Sequence, residues 1–256
     1  MLVRVVSLKH RTDRREQFIS DNAEKLSAYE WEFADAVNGS QMSYDQLQGM
    51  GFDTDHNWRD PILKRTLTWG EVGCFLSHWR LWEECADSGQ IMLVLEDDVV
   101  LSEQFDESWI TGGVTYLSHK EMLPEGVIGN RVCYPYWTSA YVITPQAATA
   151  FLETDADQNI IPVDEFMPRM TDRVVMTSVD KAKPRPRTEV GTDIEPNSHR
   201  AFVRDFCIHN LTCHDNDEKA EKLLATNPDV INILDDEWKG GTMEGPGGGQ
   251  KLNCLR

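Results

Sequence analysis

No apolar run in this chain of 256 residues approaches the roughly 18 needed for a membrane-spanning helix, so no membrane span is expected. Cations are scarce: 25 Lys and Arg stand against 43 Asp and Glu, a formal charge of −18. A general nucleic-acid binder would have to overcome that field, and this class is set aside. The opening stretch carries Arg4 and runs directly into Lys9, His10 and Arg11, which is too short and too polar for a signal peptide or anchor. The expectation is a cytoplasmic protein, in which the glycosylation-type triplets at Asn38 and Asn210 are ordinary loop and strand residues. Paired-ligand spacing is absent among Cys74, Cys85, Cys133, Cys207, Cys213 and Cys254, which read as reduced core or edge thiols.

What is present centres on Ile91-Met-Leu-Val-Leu-Glu96-Asp97-Asp98. Five apolar residues predict a buried parallel strand, and three carboxylates follow where an open α/β sheet places its ligand. In an extended segment side chains alternate, so Glu96 and Asp98 face one way and Asp97 the other. Glu96 and Asp98 are then candidate ligands for one hard divalent cation, with Asp97 left to orient a neighbour or the substrate. The competing reading is a solvated acidic turn after a core strand.

Around that segment the pattern is α/β. Residues 2–8 predict a first strand that leads into a basic helix start, where Arg11, Arg14 and Arg15 stand beside free backbone donors. Such residues serve a phosphate or are plain solvated surface; Ser7 and Leu8, ending the strand, are candidates to border a nucleotide. A second strand is expected over 31–37, closed by the Asn38-Gly39 turn. Residues 41–68 are polar and weakly periodic, an excursion over the sheet.

From Gly70 a helix is predicted, with Val72, Phe75, Leu76, Trp79, Trp82 and Ala86 on its apolar face and Glu71, Cys74 and His78 on a neighbouring one. Ser77 and His78 sit in the helix that precedes the acidic strand; His78 reads either as a hydrogen-bonded structural residue or as a site residue. Further strands are expected at 99–101, 114–117, 138–143 and 173–177. Thr144 and Pro145 cap a helix over 146–153. Residues 160–164 form a strand-like run ending in Asp164, and 181–187, with alternating Pro and basic residues, a closing loop or tail. From 204 onward a strand, a helix, a second strand and a glycine-rich loop predict an α/β beginning too small for its own core.

Four segments resemble a known family. They are Val6-Ser-Leu-Lys-His-Arg-Thr-Asp-Arg-Arg15, Gly70-Glu-Val-Gly-Cys-Phe-Leu-Ser-His78, Val94-Leu-Glu-Asp-Asp98, and Ser139-Ala-Tyr-Val-Ile143 followed by Pro162-Val-Asp164. Their order and spacing are similar to glycosyltransferase family 25, which contains lipooligosaccharide and procollagen galactosyltransferases, over about residues 2–180. The resemblance implies a GT-A-like α/β fold, a UDP-sugar donor, manganese (Mn2+) as the metal, and transfer with inversion. It also implies a hexosyltransferase, galactose before glucose, acting on a glycan or a hydroxylysine-type protein acceptor. Residues 204–256 resemble the opening of the glycosyltransferase domain of lysyl hydroxylases, without that domain's downstream acidic motif. The expected division is therefore 1–203 and a partial second domain over 204–256.

Inverting transfer needs a base apart from the metal-bound carboxylates. Asp164 is the candidate, with Glu165 and His78 as rivals; helix capping is its alternative role. Two other functions use the same residues. A metal-dependent phosphoryl or nucleotidyl transferase predicts triphosphate turnover, and a noncatalytic sugar-nucleotide-binding scaffold predicts binding without turnover. Oligomeric state is not legible in the sequence.

Overall fold

The computed structural model describes residues 1–60, 65–122 and 127–185. In chain order its strands and α-helices are β1 (Leu2–Ser7), α1 (Thr12–Asn22), β2 (Trp31–Asp35), α2 (Tyr44–Gly49), α3 (Trp69–Ser88), β3 (Met92–Glu96) and β4 (Val99–Leu101), followed by β5 (Val114–Glu121), β6 (Pro135–Ile143), α4 (Pro145–Leu152), α5 (Val163–Arg169), β7 (Met176–Ser178) and β8 (Ala182–Pro184). The α/β class is as expected. The described residues fall into two units. One holds Met1–Val37, Gly73–Ala156 and the described residues from Pro162 on; the other holds Asn38–Val72 and Asp157–Ile161. The expected boundary at 203/204 and the whole of 204–256 lie outside the described residues.

The first unit is built on a six-stranded sheet of order β2-β1-β3-β6-β5-β7. β1 pairs parallel with β2 and β3, whereas β6 is antiparallel to both β3 and β5. β3 is central because it has no polar residue before its end: Met92, Leu93, Val94 and Leu95 are all fully buried. Burying each such side chain is worth about 1.5–3 kcal/mol. Alternation sends Leu93 and Leu95 into a cluster with Val3, Val5, Phe18 and Val142. Elsewhere in the unit, α3, α4 and α5 meet through Phe75, Trp82, Phe151 and Phe166, with Trp82 and Phe151 edge to face at 4.9 Å.

Three expectations change. Phe18, Ile19 and Leu26 predict a first helix of roughly four turns, but α1 ends at Asn22 and Leu26 is buried in the segment that follows. The buried Asn22 side chain donates to the Val99 carbonyl at 2.8 Å and accepts from the Leu101 amide at 2.8 Å. Residues 182–184 are not a tail; they pair antiparallel with β4. Residues 160–164 are not a strand, since Pro162 caps α5 and places Asp164 in its first turn. α4 starts as predicted, with the Ala147 amide donating to Thr144 Oγ1 at 3.3 Å.

The second unit is not bare excursion. Ser43 and Gln46 form a reciprocal capping box that opens α2. Tyr44 donates its hydroxyl to Asp53, and the Asp53 and Ile160 backbones join the two segments. Arg65 grips Glu71 with both terminal nitrogens at 2.8 and 2.7 Å, while Glu71 accepts from the Thr68 amide at 2.8 Å. At Gly39 a Cβ would stand 1.7 Å from the Trp69 carbonyl oxygen, so the Asn38-Gly39 signal marks a close approach as well as a turn.

Candidate functional site

β3 delivers the acidic triplet to the sheet's carboxyl edge, and strand alternation splits it. Asp97 enters a basic corner at the exits of β1 and β2. Ser7 Oγ donates to Asp97 Oδ2 at 2.7 Å and Arg14 Nη1 to Oδ1 at 3.0 Å. Arg15 donates to Ser7 Oγ at 3.2 Å, to the Ser7 carbonyl at 3.0 Å and to Asp35 at 2.6 Å, with its guanidinium 4.8 Å from the Phe33 ring centre. Leu8 serves through its carbonyl, which accepts the Arg11 amide at 2.9 Å. Burial pushes the Asp97 carboxyl above its ordinary range against the opposing pull of Ser7 and Arg14. Arg11 turns to Asp13 at 3.0 and 2.8 Å. Each candidate arginine thus faces a carboxylate; the pairing of Arg14 with Asp97, 83 positions apart, is one that sequence spacing could not reveal.

Glu96 goes to the other side, where α3, β6 and α5 converge. Its Oε1 accepts from Thr138 Oγ1 at 3.1 Å and lies 3.5 Å from His78 Nε2. Burial pushes the Glu96 carboxyl up, but the combined pull of His78, Thr138 and Arg14 outweighs it and leaves it below the usual range. His78 is fully buried; its Nδ1 meets the Tyr141 hydroxyl at 2.8 Å, and Trp82 Nε1 donates to that same oxygen at 3.0 Å. Cys74, one turn earlier on α3, completes a group in which one ligand atom from each of Cys74, His78 and Glu96 lies within 4.8 Å of the others. Sequence reasoning placed Cys74 and His78 on one helix face but gave Cys74 no role; the i,i+4 Cys-His spacing was the available signal.

Asp98 and Asp164 complete the carboxylates. Burial, then the charges of Glu96 and Asp97, push Asp98 up to about 7 against the pull of Arg14. Burial and the charge of Glu96 push Asp164 to about 7 as well, although Thr138 and His78 pull the other way. Asp98 Oδ1 and Asp164 Oδ1 are both buried without a hydrogen-bond partner. Glu165, the rival base, instead accepts from the Tyr134 hydroxyl at 2.6 Å. Ser77 is occupied structurally: its hydroxyl donates to the Gly73 carbonyl at 2.6 Å and accepts from the Val37 amide at 2.9 Å. The arrangement combines a divided carboxylate cluster, a buried imidazole and a thiol around one strand end, a donor set able to hold a metal ion.

Residues 2–125 match the family model described as glycosyltransferase family 25 (LPS biosynthesis protein). The human inactive glycosyltransferase 25 family member 3 is 36% identical over 192 residues, covering 66% of this chain and 31% of that protein. Human procollagen galactosyltransferase 2 is 32% identical over 186 residues, covering 65% of this chain and 29% of the relative. The chain therefore spans about a third of the length of the curated relatives it matches. A Drosophila galactosyltransferase mutant in complex with manganese, UDP-Gal and xylobiose aligns at 10% identity and a TM-score of 0.37, over 76% of this chain and 74% of that one. At that score the likeness bears on neither fold nor chemistry.

These relatives correct one expectation. Procollagen galactosyltransferases are proteins of the secretory pathway, so the cytoplasmic assignment is withdrawn. Its basis, the polarity of the first residues, describes only the segment at hand, and a compartment is specified by targeting signals rather than by the charge of a folded domain. Among the described residues no helix is long and apolar enough to cross a membrane.

Proposed function

Because residues 2–125 belong to glycosyltransferase family 25, we propose that this chain carries a metal-dependent, inverting hexosyltransferase site on a GT-A-like sheet. The donor in this reading is a UDP-sugar, UDP-galactose first, and the acceptor a hydroxyl of a glycan or glycosylated protein. Residues 204–256 are proposed as a separate, partial glycosyltransferase-like domain.

The observation that carries the reading is the state of Asp98. Its Oδ1 is buried without a partner, and burial with the repulsion of Glu96 and Asp97 raises its carboxyl to about 7. A group so placed fits a divalent cation, which would relieve both the desolvation and the repulsion. Glu96 and Asp98 are the residues assigned to hold it. Bound there, the cation supplies charge neutralisation for a departing diphosphate. Arg14 and Arg15 hold Asp97 and Asp35 in place at the strand exits. Asp164 is the assigned base: it accepts the acceptor hydroxyl's proton as that oxygen bonds the anomeric carbon and the UDP oxygen leaves with its electron pair. A carboxyl raised to about 7 is matched to proton transfer near neutrality.

A second reading has its own support. Relatives named inactive match this chain as well as those named galactosyltransferases. A sugar-nucleotide-binding scaffold would keep the cluster and lose turnover. Incubating the purified chain with a panel of UDP-sugars and Mn2+, with and without acceptors, separates the readings. Mn2+-dependent UDP release is expected; donor binding without release would favour the scaffold, and nucleoside triphosphate turnover a phosphoryl or nucleotidyl transferase.

A further inference from the structure

Cys74, His78 and Glu96 make a donor set unlike the oxygen cage a manganese ion prefers. One thiol sulfur, one imidazole nitrogen and one carboxylate oxygen all lie within 4.8 Å of each other. Thiolate and imidazole select borderline and soft ions, zinc above all, whereas carboxylates and water select manganese and magnesium. The two α3 ligands are one turn apart on the same face, a rigid spacing that presents both to a single point. Glu96 arrives from the end of β3.

His78 is the independent sign of a ligand. Its ring is fully buried, yet Nε2, the nitrogen that faces Glu96, has no hydrogen-bond partner. At 3.5 Å the Glu96 oxygen is too distant for a well-formed bond. The far nitrogen is already served: Nδ1 lies 2.8 Å from the Tyr141 hydroxyl, itself held by the Trp82 indole at 3.0 Å. The site takes the tautomer in which Nδ1–H donates to the Tyr141 oxygen, which leaves the Nε2 lone pair on the side of Glu96. A polar partner on the far nitrogen, holding the ring in place, is the outer support a metal-bound histidine ordinarily has. Tetrahedral zinc sets its ligands roughly 3.4–3.6 Å apart, so closing from the present spacing takes a contraction of about 1 Å, within reach of side-chain rotation. Cys74 is only partly buried and lies in no disulfide.

We propose that Cys74, His78 and Glu96 form a zinc-class site, with the fourth position open to water, and that this site shares Glu96 with the Asp98 cation site. Binding releases the Cys74 thiol proton to solvent and leaves His78 neutral. Occupancy by zinc draws Glu96 towards α3 and away from Asp98, so zinc and manganese compete for this strand end. The zinc site does not require that the chain transfer sugar.

The test uses the full chain loaded with Co2+ as a spectroscopic stand-in and, separately, with Zn2+. Co2+ should produce a thiolate-to-metal charge-transfer band in the near ultraviolet at one ion per chain, lost in Cys74→Ser while that variant melts like the parent. Zinc X-ray absorption of the unmodified chain should give one sulfur at about 2.3 Å and nitrogen or oxygen at about 2.0–2.1 Å, which holds the proposal to account even if Cys74→Ser misfolds. A charge-transfer band that persists in folded Cys74→Ser would place the metal on another cysteine and overturn the assignment. So would a shell of nitrogen and oxygen alone, or no binding of either ion at micromolar concentration. Glu96→Gln should weaken Zn2+ by at least about tenfold, as loss of an anionic ligand or its support does; unchanged affinity would remove Glu96 from the site. UDP release need not occur for any of these outcomes, so failure here is distinct from failure of the transferase reading.

Discussion

Thr138 Oγ1 donates to Glu96 Oε1 at 3.1 Å across 42 positions of sequence, and the same residue pulls on Asp164, whose carboxyl the charge of Glu96 raises. One hydroxyl thus stands between two carboxylates that repel each other. A strand irregularity puts it there. From Ala140 to Tyr136, β6 runs four positions while β5 covers only two, Ser118 to Lys120, and Trp137 takes a φ of 79°. Extra residues of this kind re-aim a side chain, and here the buried Thr138 directly follows the exposed Trp137 at that irregularity.

Thr138→Val should therefore destabilise the metal-free protein by about 1–3 kcal/mol, the cost of stripping a buried polar group of its partner. Thr138→Ser should recover most of it. Urea unfolding followed by tryptophan fluorescence reads both, and a valine variant as stable as the parent would remove Thr138 from its bridging position.

Asp98→Asn should abolish stabilisation by Mn2+ and most Mn2+-dependent turnover while leaving the metal-free fold intact. At pH 8 the metal-free variant should melt higher than the parent, because a neutral amide removes the repulsion that Glu96 and Asp97 exert on the carboxylate. An unchanged manganese response would take Asp98 out of the cation site.

The pH dependence follows from the same groups. Asp98 and Asp164 are raised to about 7 in the folded chain from an ordinary value of 3.8. Between those values the folded state binds more protons than the unfolded state, so these two groups make stability fall as pH rises from about 4 to about 7 and flatten above. Thermal melts of metal-free protein from pH 5 to pH 8 should show that decline, and Mn2+ should offset it at pH 8. A rise across this window would contradict the burial of both carboxyls.

Asp164→Asn should bind donor and Mn2+ nearly normally but lower acceptor-dependent turnover by at least about 100-fold. Glu165→Gln is the comparison, since Glu165 is held by Tyr134. Near-parental transfer by the asparagine variant would leave Asp164 a residue of the first turn of α5 and nothing more.

Gly39→Ala should cost about 1–3 kcal/mol or more, because its methyl would overlap the Trp69 carbonyl at 1.7 Å. Gly49→Ala, with nothing within 4 Å of the added carbon, should be neutral or mildly stabilising in the same melt.

The sequence alone determined what a short stretch of backbone can enforce. The apolar run ending in Met92 to Leu95 is too short for a helix of ordinary length and reads as a buried strand, and strand alternation then sends Glu96 and Asp97 apart. The three- and four-residue spacing in α3 likewise put Cys74 and His78 on one face. The Ser43 and Gln46 capping box was equally legible, though the stretch read as plain excursion. What tertiary structure decided was every partner. That β6 enters antiparallel beside β3 brings Thr138 to Glu96; that β1 lies on the other side brings Ser7 and Arg14 to Asp97. Pro162 turned an expected strand into a helix start and left Asp164 Oδ1 buried without a partner. Such pairings span 42, 83 or 90 positions, and no local periodicity encodes them, because they are fixed by which strands share a sheet edge and not by how any one strand is made.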